Sequence, residues 1–93
     1  MLYFVLLPLN SNLHKVLHVK LTMPNNMDLT DLGDLPIAQT RITGISYLAT
    51  STNGYQYANT SDVYVLLKYN HVYVRLLYTS YQGQPLDVFL TYQ

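Results

Sequence analysis

Hydrophobic and polar residues alternate along much of the chain, and this period of two is clearest in residues 63–81. Successive side chains of a β-strand point to opposite faces, so the alternation predicts strands with one buried face. A two-residue turn at Asn70-His71 would fold this segment into a hairpin in which Leu67 lies opposite Val74. We therefore expect a β-hairpin with two chemically different faces.

One face of the predicted hairpin is apolar and the other is amphipathic. The apolar face would consist of Val63, Val65, Leu67, Tyr69, Val72, Val74, Leu76 and Tyr78. The amphipathic face would hold two cations among tyrosines and leucines, namely Tyr64, Leu66, Lys68, Tyr73, Arg75 and Leu77. Because buried sheet faces are aliphatic, we expect the first set to point into the core.

Two further strands are predicted before the hairpin, at the start of the chain. Residues 2–9 are almost entirely apolar, which is typical of a strand buried on both faces. Residues 10–12 have strong turn chemistry, and residues 13–23 should return beside the first strand. A helix remains an alternative for residues 12–20, because the apolar positions there also fit helical spacing.

The middle of the chain has weaker signals. Residues 24–36 contain three aspartates and several turn residues, which predicts a loop with at most one short helical turn near residues 27–33. Residues 37–48 indicate one bent strand or two short ones, with a bend or bulge at Gly44. Residues 49–62 are polar and favour a hairpin turn or loop.

Residues 86–92 alternate once more, after a turn at residues 82–85, and are predicted to form the last strand. The total is about six or seven short strands separated by turn signals, which is typical of an all-β antiparallel sandwich or small barrel. A chain of 93 residues is long enough for one cooperative core. We expect residues 1–93 to form a single all-β domain.

The composition indicates a surface with few charges. Hydrophobic residues make up 49% of the chain and charged residues 11%, with a formal net charge of zero. Globular proteins usually contain about 25% charged residues. Since copies of such a chain repel each other only weakly, we expect a homo-oligomer.

Several classes of partner and site are disfavoured by the same composition. The chain has five Lys and Arg residues, and they are scattered along it, which argues against a nucleic-acid partner. It has no cysteine, so disulfides and thiolate sites are excluded. We expect no cofactor.

The apolar start of the chain resembles the core of a signal peptide, but no Lys or Arg precedes it and no small-residue cleavage site follows. It is also much shorter than the roughly 20 residues that span a bilayer. We expect a strand of the mature fold, with neither a cleaved signal nor a membrane span. The localisation stays open between a virion and a host cytoplasm.

Metal sites and catalytic sites have weak support. His14 and His18 would share one face of a helix but would lie about 13 Å apart on a strand. Asp28, Asp31 and Asp34 lack the spacing and the glutamate of a calcium loop. No nucleophile elbow, glycine-rich phosphate loop or spaced carboxylate pair is present either. We expect surface histidines, turn carboxylates and no enzymatic activity.

The ten tyrosines are the strongest functional signal. Tyrosine combines a large apolar ring with a polar tip, which suits recognition surfaces, although it is also a common residue of half-buried strands. Those in polar loops or on the amphipathic face are the better candidates for exposure. With the neighbouring arginine, the predicted binding residues are Tyr55, Tyr57, Tyr64, Tyr73, Arg75 and Tyr81.

These observations favour a non-enzymatic binding module that self-associates and recognises a protein or carbohydrate through tyrosines. A viral or phage receptor-binding protein, or a structural component of a particle, would suit the low charge and the β composition. The alternative is a small phage-type inhibitor or counter-defence protein that blocks a host enzyme or sequesters a small nucleotide. A small hydrolase with a convergent site is the third hypothesis.

Overall fold

The structure, a computed structural model, describes residues 15–93, and its regular elements are almost all β-strands. The strands are β1 (Lys15–Thr22), β2 (Thr30–Asp34), β3 (Ile42–Thr50), β4 (Gln56–Ala58), β5 (Val63–Lys68), β6 (His71–Leu76) and β7 (Pro85–Tyr92). Single 3-10 turns occur at Gln39–Arg41 and Thr79–Tyr81. The all-β prediction is confirmed, whereas the strand predicted at residues 2–9 lies outside the described residues.

The strands form two antiparallel sheets. One has four strands in the order β1-β7-β3-β4, and the other has three in the order β2-β6-β5. Their inner faces meet in one apolar core, as in a β-sandwich. The buried apolar residues are Met23, Leu35, Ala49, Val63, Val72, Val74, Leu76, Tyr81, Leu86, Val88 and Leu90.

Strands β1 and β7 pair without interruption and form the regular part of the four-stranded sheet. The register runs from Lys15 opposite Tyr92 to Thr22 opposite Pro85. Residues 15–22 are therefore a strand and not a helix. The predicted alternation is also correct, because Leu17 and its neighbours two residues apart face the core while His18 and Lys20 are exposed.

The hairpin of β5 and β6 has the predicted faces but a different turn. The turn residues are Tyr69 and Asn70, which both have positive φ, and Lys68 pairs with His71. Positive φ at both central positions is the geometry of a type I′ turn, which matches the twist of the flanking strands. The pairing predicted from an Asn70-His71 turn is therefore wrong, because Leu67 lies opposite Val72 and not Val74. A shift of two residues leaves each side chain on its predicted face of the sheet.

Two residues of the predicted apolar face do not reach the core. Tyr69 is 77% exposed, because it belongs to the turn and not to β5. Tyr78 is 58% exposed, because β6 ends at Leu76 and the chain then turns away. The prediction that these tyrosines are core residues is wrong, and alternation fails here because it applies only within a strand.

The loop predicted before residue 36 contains a strand. No helical turn forms at residues 27–33; instead β2 pairs with β6, with a register shift between Asp31 and Asp34. Gly33 has a φ of 114°, which is accessible to glycine but strained for other residues, and it accommodates the extra residue of this bulge. A local sequence with two aspartates and a glycine is a poor strand former, so pairing with β6 determines the structure here.

The predicted bulge at Gly44 is confirmed. The pairing of β3 with β7 shifts between Ile42 and Gly44. A Cβ atom at Gly44 would lie 2.8 Å from the hydroxyl oxygen of Thr91, so a larger residue there would require the Thr91 side chain to move. The polar segment after β3 also behaves as predicted, because β3 and β4 form a hairpin.

Candidate functional site

The outer face of the β5–β6 hairpin combines aromatic, apolar and basic side chains. We call it the aromatic–basic face and define it by Tyr64, Leu66, Lys68, His71, Tyr73 and Arg75. Tyr64 lies opposite Arg75, and Leu66 lies opposite Tyr73, so Tyr64 and Tyr73 are diagonal neighbours on adjacent strands. Three of the six predicted binding residues, Tyr64, Tyr73 and Arg75, are thus brought together.

Both cations of this face lie over tyrosine rings. The guanidinium carbon of Arg75 is 5.3 Å from the centre of the Tyr64 ring, and the Nζ atom of Lys68 is 4.9 Å from the centre of the Tyr69 ring. Such cation–π contacts contribute about 0.5–1 kcal/mol each at exposed sites. They also restrict the side chains, so less conformational entropy is lost when a partner binds.

His71 lies at the edge of the face between two aspartates of β2. Its Nδ1 atom is 2.8 Å from Oδ2 of Asp31, and its Nε2 atom is 2.8 Å from Oδ1 of Asp34. Only the protonated ring has an N–H on both nitrogens, so both contacts can be hydrogen bonds only in the imidazolium form. These two contacts link β2 to β6 in the region where the bulge interrupts their ladder.

The electrostatics of this cluster favour an ionised Asp31. The backbone N–H of Gly33 donates to Oδ1 of Asp31 at 2.8 Å. This hydrogen bond, followed by the one from His71, lowers the pKa of Asp31 below its ordinary value. Because each ring nitrogen of His71 already contacts a carboxylate, the ring has no nitrogen left to act as a general base.

Tyr55 and Tyr57 lie elsewhere, on the β3–β4 hairpin. Both are exposed, but Tyr57 pairs with Ala49, a core residue, and so lies on the inner side of its sheet. The ring of Tyr57 meets the ring of Tyr81 edge to face, with centroids 6.2 Å apart. These two predicted binding residues are therefore separate from the aromatic–basic face.

Tyr81 is buried, which contradicts the expectation that it is exposed. Its side chain is only 3% exposed, and its hydroxyl donates to Oδ2 of Asp62 at 2.9 Å. Burial, reinforced by the Asp62 carboxylate, raises the pKa of Tyr81. Nothing in the polar sequence around Tyr81 indicates this role, because its partner lies 19 positions earlier in the chain.

A second histidine–aspartate pair lies on the outer face of the four-stranded sheet. The Nε2 atom of His18 is 2.8 Å from Oδ1 of Asp87, and the His18 ring stacks on Phe89 at 4.5 Å. Ser46 on β3 also lies opposite Phe89, on the other side of β7 from His18, and is the hydroxyl residue in line with this pair. Two strand spacings separate Ser46 from His18, about 9.6 Å, which is too far for the hydrogen bond of a catalytic triad.

The candidate metal ligands do not converge in the part of the chain that the structure describes. No group of three or more histidine or acidic side chains there could hold a metal ion. His18 lies on a strand, and His14 lies outside the described residues. Asp31 and Asp34 are directed at the two nitrogens of His71, so they do not share a site with Asp28.

An apolar groove opens between the two sheets, beside β1. It has an internal volume of about 10 Å³ and is lined by Val19, Leu21, Asp34, Leu35, Pro36, Leu67, Val72, Val88 and Leu90. Ligand pockets usually occupy about 300–1,000 Å³ and contain several convergent polar groups. This groove is smaller and contains a single charged side chain.

Within residues 15–93, no helix is long and apolar enough to cross a membrane. The chain matches no protein-family model, no curated protein and no solved structure.

Proposed function

We propose that this chain is a non-enzymatic protein-binding module whose recognition surface is the aromatic–basic face. The observation that supports this most directly is the chemistry of that face. The outer faces of antiparallel sheets are usually polar, whereas this one combines Tyr64, Leu66 and Tyr73 with two cations. Tyrosine and arginine are the residue types most enriched among the dominant contacts of protein interfaces.

The shape of the site supports a macromolecular partner. The face is the outer side of a sheet, and Tyr64 on it is 45% exposed. The inter-sheet groove lies on the opposite side of the same strands, where Leu67 and Val72 line it. A sheet surface without a cavity fits a protein surface better than a small molecule, because small ligands need to be enclosed.

A nucleotide-sequestering role is less well supported. Lys68 and Tyr64 are four positions apart on β5, and Tyr64 lies opposite Arg75. The two cations are therefore about 13 Å apart along the strand, at roughly 3.3 Å per residue, and do not converge on one phosphate group. A phage-type inhibitor that blocks a host enzyme would bind a protein, and it would use the same aromatic–basic face.

Within the class of protein-binding modules, the composition favours a self-associating component. With 49% hydrophobic residues, 11% charged residues and no net charge, copies of the chain repel each other little. A structural or receptor-binding protein of a viral or phage particle has to associate with further copies of itself, and weak repulsion between copies favours this. Composition is the support for this finer assignment.

Binding tests with matched variants can decide between these functions. We would screen a random-peptide display library, a glycan array, and a panel of cyclic and linear nucleotides. Peptide ligands selected by the wild type should lose about thirtyfold or more in affinity for Tyr64→Ala/Tyr73→Ala, since an aromatic anchor typically contributes about 2 kcal/mol or more. The control is Tyr55→Ala/Tyr78→Ala, which removes two exposed tyrosines outside the face.

The proposal predicts that the control binds as the wild type does and that both variants remain folded by circular dichroism. Equal affinity for both variants would contradict the aromatic–basic face as the site. Selective nucleotide binding would support sequestration instead. Selective glycan binding would support a carbohydrate receptor.

A further inference from the structure

The two cations of the aromatic–basic face have no carboxylate partner within the described residues. The aspartates that form ion pairs there contact histidines, in the pairs His18–Asp87, His71–Asp31 and His71–Asp34. Residues 1–14 contain no Asp or Glu. Lys68 and Arg75 lie over tyrosine rings and are therefore left without a side-chain carboxylate of their own molecule.

Apolar and aromatic surface lies between these two exposed cations. Arg75 and Lys68 are at opposite ends of the β5–β6 hairpin, and both side chains are exposed. Midway between them, the half-buried Leu66 lies opposite the half-buried Tyr73. The hairpin thus presents a cation, an apolar and aromatic centre, and a second cation.

We propose that the partner of this face is an acidic protein segment, which places one carboxylate on Arg75 and another on Lys68, on either side of an apolar side chain. This inference rests on the protein-binding function proposed above. A guanidinium can hold a carboxylate through two parallel N–H donors, and an ammonium attracts one as a point charge. Opposite charges across an interface also steer the encounter and fix the register of the partner.

The spacing of the cations fits an extended segment. Arg75 lies opposite Tyr64, which is four positions from Lys68, so the cations are about 13 Å apart along the strand at roughly 3.3 Å per residue. In an extended partner, residues i and i+4 have the same separation and share a face with residue i+2. The proposed segment therefore has acidic residues at i and i+4 and an apolar residue at i+2, above Leu66 and Tyr73.

The aspartates of β2 lie on the other side of β6 from this path. Strand β6 is the middle strand of its sheet, with β2 on one side and β5 on the other. Asp31 and Asp34 both contact His71. Lys68 belongs to β5, and Arg75 contacts the Tyr64 ring on β5. Both cations are thus on the side of the face that is remote from the chain's own carboxylates.

A nucleic acid fits this arrangement less well than an acidic protein. A nucleic-acid strand carries a phosphate about every 3.4 Å, so several phosphates would lie between the two cations. Those phosphates would rest on Leu66 and Tyr73, where no cation neutralises them. A protein segment can place an uncharged side chain there.

Two peptide display libraries test the proposal with the full chain. Both contain the same randomised segment, but one fixes Glu at positions i and i+4 and the other fixes Gln, its neutral isostere. The wild type should enrich peptides from the Glu library about tenfold or more over the Gln library, because charge complementarity governs the choice of partner. Binding of the selected peptides should weaken with salt, since the screening length falls from about 10 Å at 0.1 M to about 3 Å at 1 M.

Charge reversal then locates the contacts. Arg75→Glu and Lys68→Glu should each lose about tenfold or more in affinity for the selected peptides, because like charges would face each other. The matched control is Lys20→Glu, the same change of charge at an exposed lysine of β1, in the other sheet. It should bind the peptides as the wild type does, and circular dichroism should show that all three variants are folded.

Equal enrichment from the two libraries, or unchanged affinity in both Arg75→Glu and Lys68→Glu, would overturn the acidic partner. If the peptides selected in that case still lose affinity in Tyr64→Ala/Tyr73→Ala, the face remains the binding site and only the chemistry of the partner is wrong. If they do not, the proposed function fails as well. Tight binding of a single-stranded oligonucleotide that the same charge reversals abolish would assign the cations to a nucleic acid and would also overturn the proposal.

Discussion

The hydroxyl of Tyr47 on β3 donates to the backbone carbonyl of Val63 on β5 at 3.0 Å, and it therefore joins the two sheets along one side. The same hydroxyl lies 2.9 Å from the carbonyl of Thr60. Tyr47→Phe should lower the free energy of unfolding by about 1–2 kcal/mol, because it removes the one O–H donor that these two carbonyls share. Urea denaturation measures this loss.

The control for that substitution is Tyr64→Phe, which removes a hydroxyl from an exposed ring. Its effect should stay within about 0.5 kcal/mol, as for most surface changes. An equal loss in both variants would show that the hydroxyl of Tyr47 has no special role in joining the sheets.

Alkaline titration should detect two tyrosines that ionise late, Tyr47 and Tyr81. Burial raises the pKa of Tyr47 and Tyr81 above the ordinary value of 10.0. A raised pKa means that folding favours the neutral form, so this stabilisation is complete below about pH 10 and is lost as the pH rises through the folded-state pKa. Ultraviolet absorbance of tyrosinate should therefore show a late phase, and Tyr81→Phe should reduce its amplitude.

The faces of the β5–β6 hairpin could be predicted from the sequence, whereas its turn could not. Alternation of apolar and polar residues depends only on strand geometry, so it assigns Val65 and Leu67 to the core side correctly. The turn depends on which residues adopt positive φ. Tyr69 does so with a φ of 55°, although aromatic residues seldom adopt this conformation, and no local pattern indicates it.

The contact between His71 and Asp31 could not be predicted from the sequence, because it depends on how the strands pair. His71 and Asp31 are 40 positions apart, and they meet because β2 pairs with β6. Strand β2 itself was predicted as a loop. Tyrosines within strands were located correctly, as Tyr64 shows, but Tyr81 was not, since its burial depends on a distant aspartate.

Unequal losses of stability in two neighbouring substitutions would confirm the orientation of β5. Leu67→Asp should destabilise the fold by several kcal/mol, because it places a carboxylate against the half-buried apolar lining of the groove. Lys68→Asp should cost much less, because that side chain is exposed. Chemical denaturation of both variants provides the comparison, and a larger loss at Lys68 would mean that the faces are reversed.

Self-association is expected from the low charge of the surface. Light scattering at micromolar concentration should give a mass well above the 10.7 kDa of one chain. If apolar contacts hold the oligomer, the mass should not fall when salt is added, because salt screens charges but does not weaken apolar contacts. A monodisperse monomer would contradict the proposed self-associating component and leave the binding role of the aromatic–basic face untouched.

The link between β2 and β6 should make stability depend on acid pH through Asp31. Its pKa is lowered from the ordinary 3.8, mainly by the Gly33 N–H and next by His71. A lowered pKa means that folding favours the carboxylate. This contribution is present above pH 3.8 and is lost as the pH falls through the folded-state value.

Two variants separate the contributions of Gly33 and His71. In His71→Gln, carboxyl NMR titration should show that the pKa of Asp31 rises but remains below its ordinary value, because the Gly33 hydrogen bond remains. In Asp31→Asn, the part of the acid-induced stability loss due to this residue should disappear. A complete return of the Asp31 pKa to 3.8 in His71→Gln would show that the imidazole, and not the backbone of the bulge, holds the carboxylate in its ionised form.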